Sequence, residues 1–168
     1  MTDHLGGLDL QRGDFIENPG TDPDYDGILD EIGGEDRDES EGDINGRWFD
    51  HVLNLFRTMS ASGSLTVHRR ISVEDIDAFL ASIDTRPLGS SWSWDEESAS
   101  CEYHPEANHD HEVLLTAQAP CTSIHWEDSM VQHFGHPHER EVVVEGPVTE
   151  LTVIVEGRRI ARLDTATA

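Results

Sequence analysis

Val148-Thr149-Glu150-Leu151-Thr152-Val153-Ile154-Val155, then Glu156-Gly157, then Arg159-Ile160-Ala161-Arg162-Leu163, decides the fold. β-Branched residues crowd the first half, the second also fits a strand, and the Glu-Gly pair between them is a tight-turn signal, so the stretch reads as two paired strands. Glu141 to Glu145 and Glu112 to Ala119 have the same character, so the chain from residue 112 onward is expected to be mostly strand. The pattern differs upstream. Trp48, Phe49, Val52, Leu53, Leu55, Phe56 and Met59 recur at helical spacing, and Ser60 to Ser64, with Gly63, ends that helix. Leu65 to Ile71 alternates like a strand. Ser72 is the expected cap of a helix carrying Ile76, Phe79, Leu80 and Ile83, with Asp75 three residues on. Pro87 and Gly89 stop that helix, and Ser91 to Trp94 reads as another short strand. The expected class is α+β, early helices followed by mostly antiparallel strands.

The chain has 168 residues, enough for one domain and a tail. Thirty-five acidic residues face eleven basic ones, all Arg, for a net charge of −24. A field of that sign repels nucleic acid and anionic membranes, so neither is expected as a direct partner. Two readings of the acidity remain: a surface kept hydrated in a salt-rich cytoplasm, or a polyanion mimic that occupies a basic partner. The first is favoured, because acidity speaks to solubility rather than to function. Residues 1–46 hold fifteen of the carboxylates and two Arg and show little aliphatic periodicity, so they are expected to be an acidic arm without stable structure, with the domain spanning 47–168. No apolar run of membrane-spanning length and no leader pattern occurs, and two cysteines, Cys101 and Cys121, make no disulfide framework. A reducing cytoplasm is the expected setting.

Three elements carry candidate chemistry. An Arg ends Val67-His68-Arg69, a Gly precedes a Ser-x-Ser strand in Gly89-Ser90-Ser91-Trp92-Ser93, and Glu-x-Glu leads into an apolar strand in Glu139-Arg140-Glu141-Val142-Val143-Val144. Singly, each is ordinary in a chain with 35 acids; the order and strand context of the three together carry the signal.

That arrangement resembles the arginine-type (R-S-E) mono-ADP-ribosyltransferases, including small phage and bacterial toxin members. The resemblance covers about residues 48–160, with Glu112 to Ala119 similar to a core strand and Ile124-His125-Trp126 to the segment before the Glu loop. It implies two small, mostly antiparallel sheets flanking a cleft for NAD⁺, which is consumed as substrate with release of nicotinamide. A protein side chain, best matched by Arg, is the implied acceptor. Arg69 would hold the diphosphate, since a guanidinium suits phosphate oxygens. Ser91 would hydrogen-bond Glu141 or the nicotinamide ribose, and Glu141 would stabilise positive charge developing on the ribose. Glu139 would orient the acceptor, and Ser93 and His68 would line the NAD⁺ site. Glu139 is expected on the same side of an extended segment as Glu141. Arg70 stands where the family often has Gly, so Arg69 and Arg70 are rival guanidinium donors, and Trp92 and Trp94 are expected to face away from Ser91 into the core.

The histidines cluster late. Cys101-x-x-His104 and His133-x-x-His136-x-His138, with His109, His111, His125 and Cys121 nearby, have metal-like spacing, but the preferred reading is a polar Gly/Pro loop beside the acceptor site, with no metal. Asp22 to Asp30 matches the first part of a calcium loop, yet Gly33 stands where a bidentate Glu is required.

Overall fold

A computed structural model describes residues 41–99 and 111–168. The strands expected around the hairpin are present: β1 (Ser64–Val73), β2 (Ser91–Ser93), β3 (His111–Pro120), β4 (Glu141–Val143), β5 (Pro147–Val155) and β6 (Arg158–Thr167). Among the described residues there are also three α-helices: α1 (Glu41–Ser60), α2 (Ile76–Ser82) and α3 (Trp126–Gly135). The architecture is α+β. At the β5–β6 turn Glu156 and Gly157 both have positive φ, 49° and 74°, as the tightest hairpin turn demands.

The strands form one antiparallel sheet in the order β4-β2-β1-β3-β5-β6, where two sheets were expected. The join is narrow. β1 and β3 pair along ten residues, from Ser64↔Pro120 to Val73↔His111. β2 meets β1 at one register position, His68↔Ser93, and carries β4 beyond it through Ser91↔Val143, Trp92↔Val142 and Ser93↔Glu141. That single backbone pairing ties the small β2–β4 ladder to the large sheet.

Alternation along the strands gives the sheet an apolar face. Val67 pairs with Ala117, and Leu115 with Val153, and all four are buried. α1 presents Trp48, Val52 and Phe56, each four residues after the last and fully buried. α3 presents Trp126, Met130 and Phe134 at the same spacing. The two helices meet through their rings: Trp48 lies edge-on to Phe134 at 5.2 Å, Phe49 stacks on Phe134 at 5.2 Å, and Phe56 lies edge-on to Trp126 at 6.2 Å. Trp92, 1% exposed, joins this core, and half-buried Trp94 packs against Phe56 at 5.5 Å, so both indoles pack inward as their alternation predicts.

Three local expectations are corrected. α2 is capped by Asp75, whose carboxylate accepts from the Ala78 N–H at 3.0 Å, because Ser72 is still held in the β1–β3 ladder opposite Glu112. α3 replaces strand and loop around 126–135; its cap is an imidazole, His125, and its buried stripe is interrupted by Ser129 and His133, which hides the helical period. α1 begins at Glu41, seven residues before Trp48. The calcium-like loop, Cys101, His104 and His109 lie outside the described residues. No helix among the described residues is long and apolar enough to cross a membrane.

Phe56→Ala removes the ring on which Trp94, Trp126 and His133 converge, and is expected to cost about 3–5 kcal/mol. Val131→Ala on the solvent side of α3 should change stability by no more than about 0.5 kcal/mol. Urea unfolding of the two variants checks this; a Phe56→Ala loss no larger than that of Val131→Ala would refute the packing described.

Candidate active site

Arg69 occupies a core row of β1. Its cross-strand neighbour is the fully buried Leu115, and Val67 and Val73 share its side of the strand. The side chain runs along the sheet to the start of β2, where one Nη1–H donates to the Ser91 carbonyl and the guanidinium lies against Gly89. Burial lowers the Arg69 pKa, and the negative charge of Glu141 opposes that shift. Arg70, the rival guanidinium, is placed differently. Arg70 points to the other face and pairs with Glu112 at 2.8 Å.

Glu141 begins β4 opposite Ser93. Its carboxyl is pushed above the usual carboxylate range, first by burial and also by the charge of Glu139 and a hydrogen bond shared with it; the Ser91 hydroxyl, donating to the carboxylate, and the Arg69 charge pull the other way. Arg69, Ser91, Glu139 and Glu141 thus meet at the β2–β4 edge.

The meeting of the two glutamates does not arise as expected. Glu139 is not on an extended segment but closes a 3-10 turn, Pro137–Glu139, and Arg140 follows with left-handed φ 48° and ψ 44°. That one residue reverses the chain so that a turn residue and a strand residue converge. A left-handed non-glycine residue costs about 1–2 kcal/mol and persists only where neighbours hold it. Here the Ser93 hydroxyl donates to the Glu139 carbonyl at 2.9 Å and lies 3.2 Å from the Arg140 carbonyl, which also accepts from the Trp94 N–H at 3.0 Å. Ser93 is 5% exposed, and its oxygen also accepts from the Asp95 N–H at 3.1 Å. Its hydroxyl is therefore engaged in shaping the glutamate loop. His68 is the β1 partner of Ser93. Its Nδ1 is 3.1 Å from the Thr116 hydroxyl on the opposite face from Arg69, and burial lowers its pKa against the pull of Glu96 and Asp95.

α3 fixes β4 from behind. The buried Ser129 hydroxyl donates to the His125 carbonyl at 2.7 Å and accepts from the Val143 N–H at 2.8 Å. The histidines do not form a polar loop as a group: His133 lies buried inside α3 against Phe56 and Trp94, while His136 and His138 remain exposed. Among the described residues no three His, Cys, Asp or Glu side chains are arranged to hold a metal ion. The left-handed Arg140 was not legible beforehand, because an arginine carries no sequence mark of positive φ.

Fold and cluster together define an α+β domain in which a guanidinium, a hydroxyl and two carboxylates converge at one end of an antiparallel sheet. No protein-family model, no curated protein and no solved structure matches the chain.

The raised Glu141 pKa has a consequence for stability. The native state binds the extra proton between the ordinary carboxylate pKa and the raised one, so stability falls as pH rises through that window. Glu141→Gln, which cannot ionise, should therefore be more stable than the parent at pH 7 and lose that advantage as pH falls below the ordinary carboxylate range. Thermal melts of both proteins from pH 3 to 8 check it; a constant or inverted difference across the range would refute it.

Proposed function

We propose that this domain transfers ADP-ribose from NAD⁺ to a protein side chain, releasing nicotinamide. One observation supports the reading above the others: Arg69, Ser91, Glu139 and Glu141, far apart in sequence, come together at one edge of the sheet. The residues also fit the substrate. Arg69 gives Nη1 to the Ser91 carbonyl, and the fork of its guanidinium has further Nη N–H groups to offer phosphate oxygens.

In this reading Arg69 binds the diphosphate, and Ser91 holds the Glu141 carboxylate by its hydroxyl. Glu141 stabilises the positive charge that grows on the ribose as the nicotinamide bond breaks. The leaving group is cationic beforehand and departs neutral, so no strong general acid is required. Glu139 faces the acceptor and orients or deprotonates it; a guanidinium is the acceptor whose charge best matches two carboxylates, and a cytoplasmic protein is the expected partner. Ser93 and Arg140 set the separation of the two carboxylates. The finer architecture, an NAD⁺ cleft of the ADP-ribosyltransferase kind, belongs to the same proposal.

Nicotinamide release by purified protein at low and high salt tests it. Glu141→Gln should lower both glycohydrolysis and transfer by about 10²–10³, the loss typical of removing one preorganised electrostatic group. Glu139→Gln should spare NAD⁺ hydrolysis and lose transfer to an arginine-rich acceptor. Equal, full activity in both variants would refute the roles. No release at either salt, with salt-sensitive capture of a basic protein unaffected by Arg69→Ala, would establish an acidic binding module instead.

A further inference from the structure

We propose that Gly89 is the positioning residue for Arg69: the side chain missing at 89 is the space in which the guanidinium lies. The proposal deepens the transfer reading given above, and its kinetic consequence rests on that reading. Gly89 has φ +91°, and a Cβ built there would stand 2.8 Å from Nη2, 2.9 Å from Cζ and 3.1 Å from Nη1 of Arg69. Such distances lie inside van der Waals contact, so any side chain at 89 and the present guanidinium position exclude each other. Positive φ alone does not bring this about. Gly63, at φ +87°, and Gly157, at φ +74°, have nothing within 4 Å of the same built atom.

The backbone at 89 cannot simply move aside. Trp92, 1% exposed, donates from Nε1 to the Gly89 carbonyl at 2.8 Å. Leu88 is buried, and its N–H donates to the Thr167 carbonyl at 3.1 Å. The Leu88-Gly89 strap is thus tied to β6 on one side and to a core indole on the other. Across from it, the Ser91 carbonyl accepts from Nη1. The guanidinium lies against Gly89 and is bonded to the Ser91 carbonyl, and its Nε is buried without a partner. A guanidinium is the far end of a flexible side chain. A methyl group at 89 would therefore displace Arg69 rather than unfold the sheet, and Arg69 would leave the neighbourhood of Glu141. Gly89 itself touches no reacting atom; it acts through Arg69.

The test uses the full chain with ¹³C-labelled glutamate side chains and four variants: Gly89→Ala, Gly63→Ala, Arg69→Ala and the Gly89→Ala/Arg69→Ala double. The readout is the titration of the Glu141 carboxyl, which Ser91, Glu139 and Arg69 face. Gly63→Ala carries nearly the same backbone strain without the clash and should titrate as the parent does. Gly89→Ala should shift the Glu141 midpoint upward, toward that of Arg69→Ala, and the double variant should match Arg69→Ala alone. A Gly89→Ala midpoint equal to the parent's, or a double variant that sums the two single shifts, overturns the proposal. If Gly89→Ala alone does not fold, folding of the double variant supports the clash, and failure of both overturns it. In the nicotinamide assay Gly89→Ala should raise KM for NAD⁺ about tenfold with kcat little changed, the signature of lost uniform binding, while Gly63→Ala changes neither. An unchanged KM in Gly89→Ala overturns the positioning role. If the parent releases no nicotinamide, the transfer reaction fails by itself, and the Glu141 titration still decides Gly89.

Discussion

A guanidinium planted in an apolar row of the sheet constrains everything around it. Val67 and Val73 share the row with Arg69, and Leu115 across the ladder is fully buried. A charge so placed is costly unless it is hydrogen-bonded and compensated. The chain meets the cost at the end of the side chain, with the Ser91 carbonyl as acceptor, the Glu141 carboxylate as counter-charge and a glycine where a Cβ would intrude. Lys would serve poorly there, since its compact ammonium has neither the flat plane that lies against Gly89 nor the fork of donors that leaves spare capacity once Ser91 is satisfied. β2 must then lie beside β1, and one register pair at His68 and Ser93 suffices to place it.

The carboxylates follow from the same edge. β4 pairs with β2 and is held from behind by Ser129 of α3, so the start of β4 is fixed in two directions. The loop entering it has to turn sharply, and the turn is a 3-10 segment followed by a left-handed Arg140. Ser93 holds the carbonyls of that turn from inside the sheet. Helix, strand and loop thereby bring two acidic groups within hydrogen-bonding reach of each other in a half-buried place, where Glu139 adds to the cost that burial sets on ionising Glu141. The strongly acidic surface is a separate matter; it governs hydration and long-range repulsion and needs no part in this local arrangement.

The sequence by itself determined the strands and the first helix. Apolar and β-branched runs in 112–119 and 148–155, and helical spacing in 48–59, are strong signals because burial forces them. Arg69, Ser91 and the Glu139–Glu141 pair were also legible as residues, since each chemistry admits few side-chain types. Only the tertiary structure decided how they meet. The different surroundings of Arg69 and Arg70 depend on which face of β1 is covered, and covering is set by α1 and α3, distant in sequence or hidden by an imidazole cap and interrupted pattern. The left-handed turn at Arg140, the inward use of the Ser93 hydroxyl and the joining of two expected sheets into one all rest on contacts between segments dozens of residues apart. Local propensity is blind to such contacts, because their free energy appears only when the chain has closed on itself.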